Sequence, residues 1–175
     1  VMALPLIVGI SGASGAIYGV RMLQALRQAK IPSHLIVSKS AALTLKEEAD
    51  LTVNQVRDLA DVTYSNGDIG AAVSSGSFKT LGMVVIPCSI KTMSALANSY
   101  NENLVIRSGD VTLKERKPLV LVVRETPLHA GHLESLLKLS RMGAVIMPPV
   151  PAFYHRPKKL EDIVGCRVPG HPYAR

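Results

Sequence analysis

Gly9-Ile10-Ser11-Gly12-Ala13-Ser14-Gly15-Ala16-Ile17-Tyr18-Gly19 is the stretch that decides how this chain folds. The apolar residues 4–10 that lead into it read as a buried strand. Residues 16–29 place Ala16, Val20, Leu23 and Leu26 on one helical face and Arg21, Gln24 and Gln28 on another, which predicts an amphipathic helix. The glycines and serines between them form a tight strand-to-helix turn. Free amides at a helix start attract anions, Gly12 and Gly15 permit close backbone approach, and Ser11 and Ser14 add hydroxyls, so a phosphate is the expected guest. A turn that only lets the helix pack on the strand is the equal alternative. The glycines at 9, 12, 15 and 19 depart from G-x-G-x-x-G, and no acidic residue ends a second strand, which argues against a nicotinamide dinucleotide.

Further along, residues 34–37, 83–86, 119–123 and 144–147 are short apolar runs, making five strands with the first. Helical stretches separate them. Ser38 or Ser40 caps a helix running through residues 45–48, and Thr52 with Gln55 forms a capping box for a short helix ending near Leu59. Residues 61–80 lose all periodicity and read as a functional or interface loop, while 93–98, 107–117, 130–142 and 160–164 read as helical. Strands alternating with helices predict an α/β fold with a mostly parallel sheet, whose strand-to-helix turns share one ligand-binding edge. Those turns carry Ser14, Ser38, Ser89, Thr92, Arg124, Glu125 and Tyr154. Neither an internal repeat nor a linker divides the chain, so residues 1–164 form a single domain and 165–175 an atypical tail.

At 175 residues, with 47% hydrophobic but only 4% aromatic residues and no Trp, the core must be built from aliphatic side chains. So apolar a composition also suggests subunit interfaces. No run is long enough to span a bilayer and no basic segment leads into a signal-like core, so a cytoplasmic protein is expected. Cys88 and Cys166 make neither a disulfide framework nor a metal-ligand spacing, and Cys88 reads as a packed thiol. The net charge of +7 admits anionic partners, but scattered basic residues and few aromatics disfavour nucleic acid.

Hydroxyls and amides with few carboxylates suit a phosphate-bearing ligand better than a metal ion. Lys114, Arg124 and Tyr154 are candidates to clamp a second phosphate, Arg124 through its planar fork and Lys114 as a point charge. His129 and His132 have helical ligand spacing with Glu134, yet a helix-start histidine making ordinary hydrogen bonds is the better reading.

Several of these segments together resemble one family. Residues 9–19 (GISGASGAIYG), 87–92 (PCSIKT), 110–118 (DVTLKERKP), 124–128 (RETPL) and 143–157 (GAVIMPPVPAFYHRP) are similar to the UbiX-like flavin prenyltransferases, formerly described as phenolic-acid or polyprenyl-hydroxybenzoate decarboxylase subunits. The resemblance implies a flavodoxin-like Rossmann fold of three layers and a homododecamer with FMN at subunit contacts. It implies that a dimethylallyl group passes from dimethylallyl monophosphate to N5 and then C6 of reduced FMN without a metal. The prenylated FMN then goes to a UbiD-like decarboxylase. By the same resemblance Gly12, Ala13, Ser14, Ser38, Ser89, Thr92, Arg107 and Arg124 hold FMN, and Lys114, Arg124, Glu125 and Tyr154 hold the prenyl phosphate. Glu125, Glu48 and Ser14 are implied at the chemical step, with Glu125 in proton transfer.

Two features depart from the family. Residues 165–175 cannot form the family's C-terminal helix with its phosphate-binding arginine, and its prenyl-pocket tryptophan has no counterpart. Rival readings are a flavin-dependent cysteine decarboxylase-like enzyme, a non-catalytic FMN-binding assembly subunit, and a direct decarboxylase.

Overall fold

The computed structural model describes residues 3–151, 153 and 156–165. Six strands, β1 (Leu6–Ile10), β2 (Ser33–Val37), β3 (Val62–Ser65), β4 (Gly82–Cys88), β5 (Leu119–Val123) and β6 (Val145–Ile146), form one sheet in the order β3-β2-β1-β4-β5-β6. Every pairing is parallel, with Leu6 opposite both Ser33 and Gly82. Among the described residues there are seven helices: α1 (Ala16–Gln28), α2 (Lys39–Ala49), α3 (Val53–Arg57), α4 (Ile90–Ala97), α5 (Leu104–Lys114), α6 (Ala130–Arg141) and α7 (Leu160–Gly165). This is the expected three-layer, flavodoxin-like Rossmann architecture, with its sheet fully rather than mostly parallel.

Two apolar layers explain the strand sequences. Successive side chains of a strand point to opposite faces, so a strand covered on both sides must be apolar throughout. In β1 and β4, Ile7, Met83 and Val85 face one core while Val8, Ile10, Val84 and Ile86 face the other. The first core takes Met93, Leu96, Leu104, Ile106 and Leu139 from α4, α5 and α6. The second takes Ala16, Val20, Leu23 and Leu26 from α1, with Ala41 and Leu45 from α2 and Val56 from α3. The α1 face foreseen from the heptad-like spacing is therefore the buried one. Gly19 allows that approach, since a Cβ there would lie 2.6 Å from the Ile86 carbonyl oxygen.

The third strand overturns part of the sequence reading. Residues 61–80 are not a loop throughout: Val62–Ser65 pairs with His34–Val37 at the sheet edge, and Ala72–Ser74 makes a 3-10 turn. Val62, Thr63 and Ser65 are exposed, so this edge strand carries no apolar run to announce it. The helix expected over 107–117 starts earlier, at Leu104, because Asn103 Oδ1 accepts from the Ile106 amide and caps it. The Thr52–Gln55 capping box is present, and of the two serines offered as caps Ser38 is the one used, accepting from the Ala41 amide. No helix among the described residues is long and apolar enough to cross a membrane.

Candidate functional site

The turns after β1, β2, β4 and β5 meet at the carboxyl edge of the sheet. The two central turns are tied together by Ser11, which is 1% exposed. Its hydroxyl donates to the Pro87 carbonyl at 2.8 Å and accepts from the Ser89 amide at 2.7 Å. Ser11 is thus a structural link between β1 and β4, and its hydroxyl is not available to a ligand as the sequence had suggested.

A cleft of about 460 Å³ opens between these turns, lined by Gly12, Ser38, Ser89 and Thr92 together with Lys39, Ser40, Asn66, Gly67, Lys91, Glu102, Asn103 and Ile106. Four predicted cofactor contacts therefore converge. Ala13 is buried beside Gly12, and a Cβ on Gly12 would collide with Ser40 Cβ and Oγ, so the first turn packs directly on the start of α2.

The helix starts at this edge differ in what their amides meet. At α1 the expected anion site is already filled by the chain itself: Glu48 Oε2, from the end of α2, accepts from the Gly15 amide at 2.7 Å and the Ala16 amide at 3.3 Å. Desolvation pushes the Glu48 carboxyl up, but hydrogen bonds from Ser14, Gly15 and Ala16 and the nearby Arg124 guanidinium outweigh it and hold the group below its ordinary value. Glu48 is accordingly ionised at neutral pH. At α5, the Leu104 and Val105 amides donate to the Asn66 carbonyl and Asn66 Oδ1, and the Ile106 amide to Asn103. At α6, His129 Nδ1 accepts from the Gly131 amide, the ordinary role read from the sequence.

That leaves α2 and α4. Ser38 and Ser89 each cap one internal amide, of Ala41 and Thr92, and among the described residues no acceptor meets the amides of Lys39, Ser40, Ile90 and Lys91. Two helix starts facing one cleft, with the Lys39 and Lys91 cations beside them, are a built anion cradle. Lys91 also pairs with Glu102 at 3.2 Å. Among the described residues, the helix-start amides without an acceptor thus lie at α2 and α4, beside the turn that the glycines advertise rather than in it.

A second group adjoins it. Ser14, Glu48 and Arg124 lie together, with Arg124 held at the end of β5 by its amide bond to the Cys88 carbonyl. Glu125 follows, exposed, its Oε1 accepting from the Thr126 amide. Arg107 sits in the second turn of α5, 3.9 Å from Asp110. Lys114 does not join them. It occupies the last turn of α5, bonded to Glu115 and beside Gly76, at the opposite, amino edge of the sheet. β5 alone separates the two edges by about 16 Å, so a clamp formed by Lys114 and Arg124 within one chain is excluded. Tyr154 lies outside the described residues. Cys88 is fully buried, which pushes its thiol up to about 12 and removes it as a nucleophile.

Sequence reasoning missed Ser40, Asn66 and Asn103. A Ser-x-Ser start to α2 was a visible signal for the first; Asn66 directly follows the unrecognised β3.

The family model for flavoproteins matches residues 2–166. The flavin prenyltransferase UbiX of Escherichia coli strain K12 is 60% identical over 164 residues, covering 93% of this chain and 87% of that protein. The chain belongs to the flavin prenyltransferases. Among solved flavin prenyltransferase structures, AnUbiX in complex with FMN and dimethylallyl pyrophosphate superposes with a TM-score of 0.94 at 46% identity, covering 95% of this chain and 89% of that one. A dodecameric FMN-dependent UbiX-like decarboxylase from Escherichia coli O157:H7 gives 0.92 at 48% identity, covering 94% and 91%. The flavin prenyltransferase fold is thus present over nearly the whole chain.

Proposed function

We propose that this chain transfers a dimethylallyl group from dimethylallyl monophosphate to reduced FMN, as the prenyl acceptor, and that the product serves a UbiD-like decarboxylase. The observation that carries this reading is the pair of helix starts, α2 and α4, whose first amides meet no acceptor among the described residues and which face one cleft beside the Ser14, Glu48 and Arg124 group: a place for one phosphate next to a place for a second. The donor set suits FMN, with Ser38, Ser89 and Thr92 hydroxyls and the α2 and α4 amides for its phosphate, and Gly12 and Ala13 giving close backbone approach. FMN supplies N5 and C6 as the bond-forming atoms.

The chain's own groups then act on the donor. Its C–O bond breaks with the electron pair left on the phosphate, which the Arg124 guanidinium stabilises as a bidentate partner. Glu48, kept ionised, holds the Ser14 proton and so turns the Ser14 lone pairs away from α1. Glu125 is placed to move a proton at the departing phosphate or at ring closure. Arg107, next in α5 to the cleft-lining Ile106, is assigned to the cofactor. Lys114 reaches this site only from a neighbouring copy, which makes the homododecamer a requirement of the chemistry rather than a packing outcome; Tyr154 is assigned to the same phosphate. A cytoplasmic location accords with this substrate.

The test is anaerobic incubation of the protein with reduced FMN and, in separate reactions, dimethylallyl monophosphate and the pyrophosphate, followed by mass spectrometry of the extracted flavin. A gain of one five-carbon unit is expected with the monophosphate. Bound but unmodified FMN with both donors refutes the transferase reading and leaves an FMN-binding assembly subunit.

A further inference from the structure

Asn66 stands at the carboxyl end of β3, in the stretch without sequence signal, and it lines the same cleft as Ser38 and Ser89. Both of its acceptors are committed to α5. Its carbonyl receives the Leu104 amide at 2.9 Å and its Oδ1 the Val105 amide at 3.1 Å. An amide side chain has one acceptor end and one donor end, and a backbone N–H can bond only the former. The orientation of the Asn66 side chain is therefore fixed by Val105, and its Nδ2, with two protons, is the end left over. Among the described residues no acceptor meets Nδ2.

We infer that Asn66 is a flavin-binding residue whose Nδ2 donates a hydrogen bond to an oxygen acceptor of FMN, a ring carbonyl or a ribityl hydroxyl, from beside the start of α5. The proposal rests on the reading of this cleft as the FMN site. Position supports the division of labour: the α2 and α4 starts and the lysines hold the anionic end, whereas the wall around Asn66, with Gly67, Asn103 and Ile106, offers no free helix amide and suits the neutral part of the molecule. The same side chain that closes the start of α5 would then read whether the cleft is filled by a flavin.

Asn66→Asp separates the two roles of the side chain. Aspartate keeps an oxygen for the Val105 amide and is a good acceptor at a helix start, but it has no proton to give. Apo protein, full chain, is titrated with FMN by flavin fluorescence at 0.1 M and 1 M salt, beside thermal unfolding without FMN. The expected result is an unchanged or higher unfolding midpoint with FMN bound about tenfold or more weakly at both salt concentrations. Binding equal to the parent overturns the inference. So does a loss that vanishes at 1 M salt, where the screening length is about 3 Å, because it would be distant repulsion of the phosphate. If the parent protein itself binds no FMN, it is the reading of the cleft that fails; if parent and variant bind FMN alike, the assignment of Asn66 alone fails.

Discussion

Replacing Ser11 by alanine tests whether the two central turns are held as one unit. The hydroxyl is buried and makes two hydrogen bonds, to the Pro87 carbonyl at 2.8 Å and from the Ser89 amide at 2.7 Å. The Pro87 carbonyl keeps the Ser11 amide as a donor, at 3.2 Å, but the Ser89 amide loses its acceptor. Two lost bonds at about 1 kcal/mol each, plus a share of the penalty for an orphaned donor, give a destabilisation of about 2–3 kcal/mol. For a domain of this size that lowers the unfolding midpoint by roughly 5–10 °C. Circular dichroism during heating, at one protein concentration so that assembly contributes equally, measures it. Because Ser89 also caps α4 at the phosphate cradle, FMN affinity should fall in the same variant. A midpoint within about 1 °C of the parent, with FMN binding intact, would refute the view that Ser11 couples the turns.

Gly12→Ala should abolish copurification of FMN, since the new Cβ collides with Ser40 and must push the α2 start out of the cleft; a yellow, FMN-loaded variant would contradict this packing. Glu48→Gln should unfold at lower temperature than the parent at neutral pH. The native Glu48 carboxyl lies below its unfolded value of 4.5, so its contribution is present above that value and lost as pH falls through the native one. The gap between the two midpoints must therefore narrow on acidification, and a gap independent of pH would remove charge from the account. Lys114→Ala should keep FMN affinity but lose transferase activity, and Arg124→Ala should lose transferase activity together with part of the FMN affinity. Co-expressed, the two variants should regain activity in mixed assemblies, whereas no recovery would place both residues in a single chain's site. Cys88 should stay unalkylated by iodoacetamide in the folded protein at pH 8, because burial holds its thiol at about 12.

The central sheet was legible because parallel strands covered on both faces must be apolar at every position, as in Leu119–Val123. Val62–Ser65 escaped because an edge strand needs no such run, and with it went Asn66. That Ser38, Ser89 and Thr92 line one cleft was legible because hydroxyl residues that directly follow parallel strands share the sheet's carboxyl edge, a short-range signal. The mistake at α1 was of another kind. Its amides are occupied by a carboxylate from residue 48, and no local pattern can announce a partner more than thirty residues away. A clamp of Lys114 with Arg124 within one chain fails for a topological reason: α5 runs back along the sheet, so residues only ten positions apart in sequence end on opposite edges.

The carboxylate at α1 also bears on how new binding sites arise. A glycine turn with every backbone feature of an anion hole is kept shut by one side chain on a neighbouring helix, so the hole is latent rather than missing. Truncating Glu48 to alanine would unmask it without altering a single residue of the turn, offering protein engineers a preformed socket for sulfate or an acidic ligand beside an existing flavin cleft. A descendant of this chain could acquire a second anionic ligand by losing an interaction instead of inventing one.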